Sequence, residues 1–343
     1  MSTPIKPRLF NRRDFLYASG SAIALACGAD RLSAAGPDTV RVGYLHVVSV
    51  DAHLWLATHL GSFERENLRV ETREFTTGIE LFQALVGGSL DMLTTGGVLS
   101  NFPARGQGKV FLINDLEWAT GQIWAYPDKG IHTLKDLKGR QIATTRGTTA
   151  HNLLHQALKT VGLDSTKDVE IVNQRMSDAV TAFIAGAVPA VSLWVPFNIP
   201  VRSKAPAARM LVDGSGLPNA TIVDGWAARN DFYDNKKDIL RRFIKAWITA
   251  NDLIISDPKQ ALQILHTKFY PKLSSAEVEE MYKVTRWYPT REWAQYYRDG
   301  SAAKWLNQVT NFNVEVGAIQ NPIMAEQYFD PRLFLEVVGA GAN

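Results

Sequence analysis

Residues 147–149, Gly-Thr-Thr, stand between a short apolar run, GRQIAT, and a segment in which Leu153, Leu154, Ala157, Leu158 and Val161 recur at the helical period. A strand that runs into a turn and opens a helix exposes backbone N–H groups carrying partial positive charge. Gly147 allows close approach of the backbone, and Thr148 and Thr149 add hydroxyls. The turn is therefore either a seat for a carboxylate, sulfonate, phosphate or nitrate or a plain helix cap. Other candidates also sit at strand ends. His46 and Ser49 follow the first strand in YLHVVSVDAH, and Thr95 and Gly96 end another in TTGGVLSN. Trp194 and Phe197 follow AVSLW, Trp118 follows VFLINDLE, and Trp226 follows TIVDG. Each aromatic either walls a ligand or fills core. Asp224 either receives an amine or ring N–H or caps a turn. His151 and His155 are four apart on one helix but have no carboxylate partner nearby in the sequence, so no metal site is expected.

The elements that must position these residues alternate. TVRVGYL, LRVETREF, DMLTTG and KVFLIND read as strands, with helices in DAHLWLATHLGSF and GIELFQALVGGSL between them. The pattern restarts with strand GRQIATT, helix AHNLLHQALKTVG, strand DVEIVN, helix SDAVTAFIAG and strand AVSLW. ALVGGSLDMLTTG and AFIAGAVPAVSLW align as a weak internal repeat, matching Gly88 to Gly186 and Thr94 to Ser192. Beyond about residue 228 the chain reads as helical, including NKKDILRRFIKAWITANDLIIS and REWAQYYRDGSAAKWLNQVT. The expected class is α/β, two lobes with largely parallel sheets and a helical C-terminal part. Lobe one is expected over 38–122 plus 225–343 and lobe two over 128–212, with crossovers at 120–128 and 212–226.

Composition narrows the function. A formal charge of +3 with scattered positive residues does not suit a nucleic-acid binder. No H-E-x-x-H, G-x-S-x-G, strand-linked G-x-G-x-x-G or P-loop lysine phrase occurs. The N-terminus, NRRDFLYASGSAIALACGAD, pairs Arg12 and Arg13 ahead of a short, diluted apolar run, which reads as an export signal rather than a membrane span. Cleavage is expected after Ala35, making 1–35 the signal. Cys27, the one cysteine, is then either cut away or, in ALAC, a lipid-attachment residue. A chain cut after Ala35 has no cysteine, which suits an oxidising compartment.

Several phrases carry a family resemblance. NRRDFL resembles the twin-arginine export signal of bacteria, which implies the twin-arginine export machinery as a partner. VRVGYL with GSFERENLRVE, GIELFQALVGGSLDMLTTG, TLKDLKGRQIATTRGTTAHNLLHQAL and NDFYDNKKDILRRFIKAWITANDLIISDPKQAL occur in an order similar to that of the periplasmic solute-binding proteins of ABC importers, in the nitrate/sulfonate/taurine and thiamine-precursor branch. The resemblance covers nearly all of the chain beyond the signal. It implies a two-lobed (type II-like) periplasmic binding fold, a small-molecule ligand, an ABC permease and its ATPase as partners, no cofactor, no catalysis and a periplasmic location. In relatives the aromatic positions border the cleft. Departures stand at Pro189, where the family usually carries Asp, at Asn235-Lys236-Lys237, and in the first loop. The enzyme of this branch, a thiamine pyrimidine synthase, uses a cysteine-rich iron motif that this chain lacks. The expected ligand is a small organic anion, sulfonate or carboxylate, with an aromatic or apolar body. The alternative is a neutral heterocycle of the pyrimidine type, contacted by Asp224 or His46.

Overall fold

A computed structural model describes residues 36–217 and 221–340. The export signal expected over 1–35, and Cys27 with it, lie outside the described residues. Eleven strands are present among those described: β1 (Asp38–Leu45), β2 (Leu68–Phe75), β3 (Met92–Thr95), β4 (Lys109–Glu117), β5 (Gly121–Ala125), β6 (Gln141–Thr144), β7 (Glu170–Asn173), β8 (Ala190–Trp194), β9 (Arg209–Asp213), β10 (Ile222–Ala228) and β11 (Thr285–Arg286). They form two sheets, ordered β11-β4-β10-β3-β1-β2 and β7-β6-β8-β5-β9. The α/β two-lobed class is the one read from the sequence.

Each sheet has the same core. In one, β1 lies between β2 and β3, all parallel. In the other, β6 lies between β7 and β8, again parallel. An antiparallel strand then joins each core, β10 beside β3 and β5 beside β8. The weak repeat has a structural counterpart. Thr94 Oγ1 donates to Val50 O at 2.7 Å, and Ser192 Oγ donates to Ala150 O at 2.7 Å. In both lobes a strand hydroxyl thereby ties the sheet to the first turn of the helix that follows the lobe's first parallel strand. Gly88 and Gly186 match as well, both left-handed at φ 78° and 73°.

The chain leaves the first sheet after Glu117 and enters the second at Gly121. It returns between Asp213 and Ile222. The span 120–128, read as a crossover, therefore holds β5 of the second sheet, and 212–226 holds the end of β9 and the start of β10.

Strand alternation feeds two half-cores in lobe two. Ile142 packs with Leu153, Leu154 and Leu158 of helix Thr149–Thr160, while its neighbour Ala143 packs with Met176, Val180 and Phe183 of helix Met176–Ile184. Lobe one has a single larger core, to which the C-terminal helices contribute Phe243, Trp247, Trp293 and Phe334. The stretch REWAQYYRDGSAAKWLNQVT forms two helices, Thr290–Arg298 and Ser301–Glu315, broken at Asp299-Gly300. No helix among the described residues is long and apolar enough to cross a membrane.

One buried side chain organises lobe one. Asn114, in the middle of β4 and fully buried, accepts from the indoles of Trp226 and Trp247 through Oδ1, at 2.7 and 2.8 Å. Its Nδ2 donates to Val50 O and Thr94 Oγ1, at 3.0 and 3.1 Å. Helix Val48–His59, helix Lys237–Ser256, β3, β4 and β10 therefore meet on one amide.

Candidate functional site

A cavity of about 450 Å³, its mouth included, lies where the two sheets face each other. It is framed by strand ends and helix starts: Leu45, Val47, Ser49 and Val50 after β1, Thr77 and Gly78 at the start of helix Gly78–Val86, Thr95–Val98 after β3, Glu117 and Thr120 around the crossover, Thr148 and Thr149, and Trp194 at the end of β8. Ligands of open α/β sheets bind at such carboxyl ends.

The Gly147 turn is built as its sequence suggests. Gly147 is left-handed at φ 76°, which a residue with a Cβ rarely adopts. Its N–H donates to His151 Nδ1 at 3.1 Å, which requires that nitrogen to be deprotonated. Burial agrees, lowering the His151 pKa to about 4. Thr148 turns its hydroxyl back to Thr145 O at 2.8 Å.

Thr149 then meets lobe one. Its Oγ1 accepts from Gly97 N–H at 3.3 Å and donates to Glu117 Oε1 at 2.8 Å. The carboxyl group held at this helix start is thus the protein's own.

Glu117 is not alone. A Cβ placed on Gly96 would collide with both Asp224 Oδ1 and Glu117 Oε1, so the two carboxyls close over that glycine. Asp115 stands directly across from Asp224 in the β4–β10 register. All three are buried, and no cation figures among the charges acting on them. Burial, reinforced by the neighbouring carboxylates, holds Asp115 and Glu117 well above the usual range. Burial pushes Asp224 up to about 6. Among the described residues no three His, Cys, Asp or Glu converge as metal donors.

This cluster makes stability depend on pH. In the unfolded chain the carboxyls titrate near 4. Raised in the fold, they bind protons more tightly when native, so their contribution is fully present below pH 4 and is lost as pH rises through the folded values. The double variant Glu117→Gln/Asp224→Asn removes the loss while keeping an oxygen for Thr149. Its thermal stability should gain on that of the parent steadily between pH 4 and 7. A gain that does not change with pH would contradict the assignment.

Three ion pairs rim the lobes, and in each the carboxylate belongs to lobe one. Arg175 meets Glu80 at 2.8 Å, Arg202 meets Glu280 at 2.5 Å, and Lys159 meets Glu315 at 2.8 Å. His155, spent on Ser165 Oγ and Glu315, belongs to the last. Each exposed pair contributes at most about 1 kcal/mol. Together they bias which faces meet.

Of the residues singled out in the sequence, Ser49, Thr95, Gly96, Thr148, Thr149 and Trp194 line the cavity. Phe197 stands edge-on behind Trp194, with ring centroids 5.4 Å apart. Asp224 lies behind Gly96, and Gly147 anchors the turn. Three others do not line the cavity. His46 is spent within lobe one, bonded to Asp51 Oδ2 at 3.2 Å and Phe269 O at 3.1 Å, and stacked on Tyr270. Trp226 is fully buried core, tied to Asn114 and edge-on to Phe243. Trp118 lines an adjoining recess with Glu117, Gly214–Leu217 and Thr221, beneath the Arg286 guanidinium at 3.4 Å. Sequence reasoning passed over Glu117 and the Thr77-Gly78 helix start. The cue for Glu117 was an acid closing an apolar strand, VFLINDLE.

Two parallel-cored lobes, joined by two crossings and facing each other across a cavity at their strand ends, are the architecture of the periplasmic binding proteins. The periplasmic aliphatic sulphonate-binding protein SsuA of Escherichia coli superposes with a TM-score of 0.68 at 21% identity, over 86% of this chain and 93% of that one. The chain belongs to the NMT1/THI5-like family, whose model matches residues 51–261. Among curated proteins it is 28% identical over 291 residues to a binding protein of Brucella abortus (strain 2308), covering 84% of this chain and 89% of that one. It is 27% identical over 239 residues to an ABC transporter periplasmic binding protein of Brachyspira hyodysenteriae, covering 63% and 65%.

Proposed function

We propose that this chain is the solute-binding component of an ABC importer, which works in the periplasm and captures a small organic molecule between its lobes. The observation that carries the reading is the cavity itself, with family membership behind it. Helix starts, lining hydroxyls and Trp194 surround a space for a small solute at the strand ends of both lobes. The partners are an ABC permease and its ATPase, as the Brachyspira relative's description suggests. Export through the twin-arginine route, and either loss or lipidation of Cys27, belong to the same proposal and rest on the N-terminal sequence.

Binding rather than catalysis fits the lining. The hydroxyls of Thr120 and Thr148 are turned to backbone oxygens, Val284 O and Thr145 O, rather than to a base. The sulphonate named for the Escherichia coli relative supports an anionic group somewhere on the solute. The hydroxyls of Ser49 and Thr95 line the cavity on its lobe-one side and are the groups nearest to hand for it. The neutral-heterocycle reading draws on Trp194 for stacking and on the carboxyl floor for polar contact.

A thermal-shift screen of small metabolites, followed by recovery of each hit, tests this reading. A binder melts later with its hit, by about 2.7 kcal/mol of added stability at a hundredfold excess over Kd, and returns the hit unchanged. Conversion of the hit would overturn it in favour of an enzyme.

A further inference from the structure

The lobe-one lip of the cavity is the loop that follows β1. Leu45, Val47, Ser49 and Val50 face the solute space. His46, half-buried among them, turns away into lobe one. Its Nε2 lies 3.1 Å from Phe269 O and its Nδ1 lies 3.2 Å from Asp51 Oδ2. Both neighbours are acceptors. Phe269 O is a carbonyl, and Asp51 already receives the Trp55 indole N–H on Oδ2 at 2.7 Å and the Tyr270 hydroxyl on Oδ1. A neutral imidazole has one donor nitrogen and one lone pair, so it would set lone pair against lone pair in one of the two contacts. An imidazolium donates to both. The ring also stacks on Tyr270, with centroids 4.1 Å apart and planes 3° from parallel, and an aromatic face attracts a cation. Asp51, fully buried in the first turn of helix Val48–His59, has His46 as its one cationic partner among the described residues.

At one end of the lip Val50 O is held by Thr94 and Asn114. At the other, His46 supplies the side-chain bonds, since Val47, which caps the helix, makes none. Lobe two treats its matching turn in the opposite way, for there Gly147 N–H donates to His151 Nδ1 and fixes a neutral ring.

We propose that His46 is a positioning residue for the solute site: as an imidazolium between Asp51 and Phe269 O it pins residues 45–50 in place, and the lip loosens when the ring loses its proton. This rests on the solute-binding reading and adds a pH dependence to it. The charged groups facing His46 are acidic, Asp51 from the helix and Glu74 from β2. Burial opposes the charge on the ring, but the hydrogen bond and charge of Asp51, with Glu74 and Phe269 O behind them, raise His46 above its ordinary value. Burial also raises Asp51, against the donors His46, Tyr270 and Trp55. Burial pushes the facing phenols up, Tyr44 to about 12 and Tyr270 well above the usual range, so both stay neutral while a histidine titrates. The sign follows. The pin is at full strength below the value of a released histidine, near 6.5, and is lost as pH rises through the higher value of the pinned ring.

Two measurements on the ligand-free protein test this, with the proton as the probe. Long-range nitrogen–proton NMR spectra of the histidine rings, taken from pH 5.5 to 9 and assigned with His46→Gln, should show both His46 nitrogens protonated at pH 6 and a midpoint above the ordinary value. Glu74→Gln, a change on the exposed face of β2, should lower that midpoint, which a purely structural histidine would not show. Hydrogen exchange of the Val47, Val50 and Asp51 amides, which bond to Leu45 O and Val47 O across the lip, should report several-fold more opening at pH 9 than at pH 6 after correction for solvent pH. In His46→Gln the opening should be high at both. A His46 midpoint at or below the ordinary value overturns the inference, as does a lip whose opening ignores pH. So does a rise that survives in His46→Gln, which would assign it to Glu117 and Asp224. Affinity for the best hit of the metabolite screen should fall with pH more steeply in the parent than in His46→Gln, and equal slopes would refute the positioning role. A screen without a hit overturns the solute-binding reading, while the two ligand-free measurements still decide the pin.

Discussion

Replacing Gly97 by valine should abolish solute capture at concentrations where the parent protein is saturated, while leaving the fold intact. Gly97 is where lobe one touches the start of helix Thr149–Thr160. A Cβ added there would lie 2.7 Å from Thr149 N and 3.0 Å from Thr149 Cα, atoms of backbone that have no rotamer in which to escape. The overlap is relieved only by parting the lobes. Over-packing of this kind costs about 1–3 kcal/mol or more, and all of it falls on the closed state. Apparent affinity falls by the fraction of protein able to close, so Kd should rise about 100-fold. Each lobe keeps its own core, and Gly97 is not among the left-handed glycines, so the melting temperature without ligand should barely move. Calorimetric titration with the best hit reads the effect. A Kd within threefold of the parent would mean that the contact is not needed for binding.

Asn114→Ala should produce the largest loss of stability from one side-chain truncation in β4. It removes the shared acceptor of two buried indole N–H groups and a donor to Val50 O and Thr94. Leaving a buried polar group without its partner costs about 1–3 kcal/mol, so the two indoles together forfeit about 3–5 kcal/mol. Denaturant unfolding should show that fall, with a drop in Tm of roughly 6–15 °C. A loss below about 1 kcal/mol would mean that the indoles find other acceptors.

Much of this architecture is readable before any coordinates. The span of β2 is the phrase LRVETREF itself, and the matched Thr94 and Ser192 make matching hydrogen bonds in their two lobes. The Gly147 turn is equally legible, because a left-handed glycine between a strand and an amphipathic helix has few other uses. What the sequence hides is the side on which a residue faces. In β10, irregularities between Asp224 and Gly225 and between Trp226 and Ala227 break simple alternation. Asp224 ends behind the cavity floor and Trp226 in the core, although both looked like lining. One residue of slip moves a side chain from one face to the other. His46 was likewise claimed by partners far along the chain, Phe269 and Tyr270, that no local pattern announces.

Glu117 shows the same limit from the other direction. As a letter it is an acid at the end of an apolar strand, the commonest kind of solvated residue. Only the return of the chain as β10 sets Asp224 near it, and only the approach of lobe two sets Thr149 upon it. Its meaning is a property of the assembled cleft. So is its bearing on the anion seat expected at Thr149, where a carboxyl group of the protein already stands.

The central claim is that two lobes close on a solute, and small-angle X-ray scattering of the purified protein with and without its best hit tests it most directly. Hinge closure around a ligand compacts proteins of this architecture. The account predicts a smaller radius of gyration at saturating ligand for the parent, and none of that compaction for Gly97→Val at the same concentration. An unchanged radius in the parent, at a ligand concentration shown by calorimetry to saturate it, would contradict capture by closure.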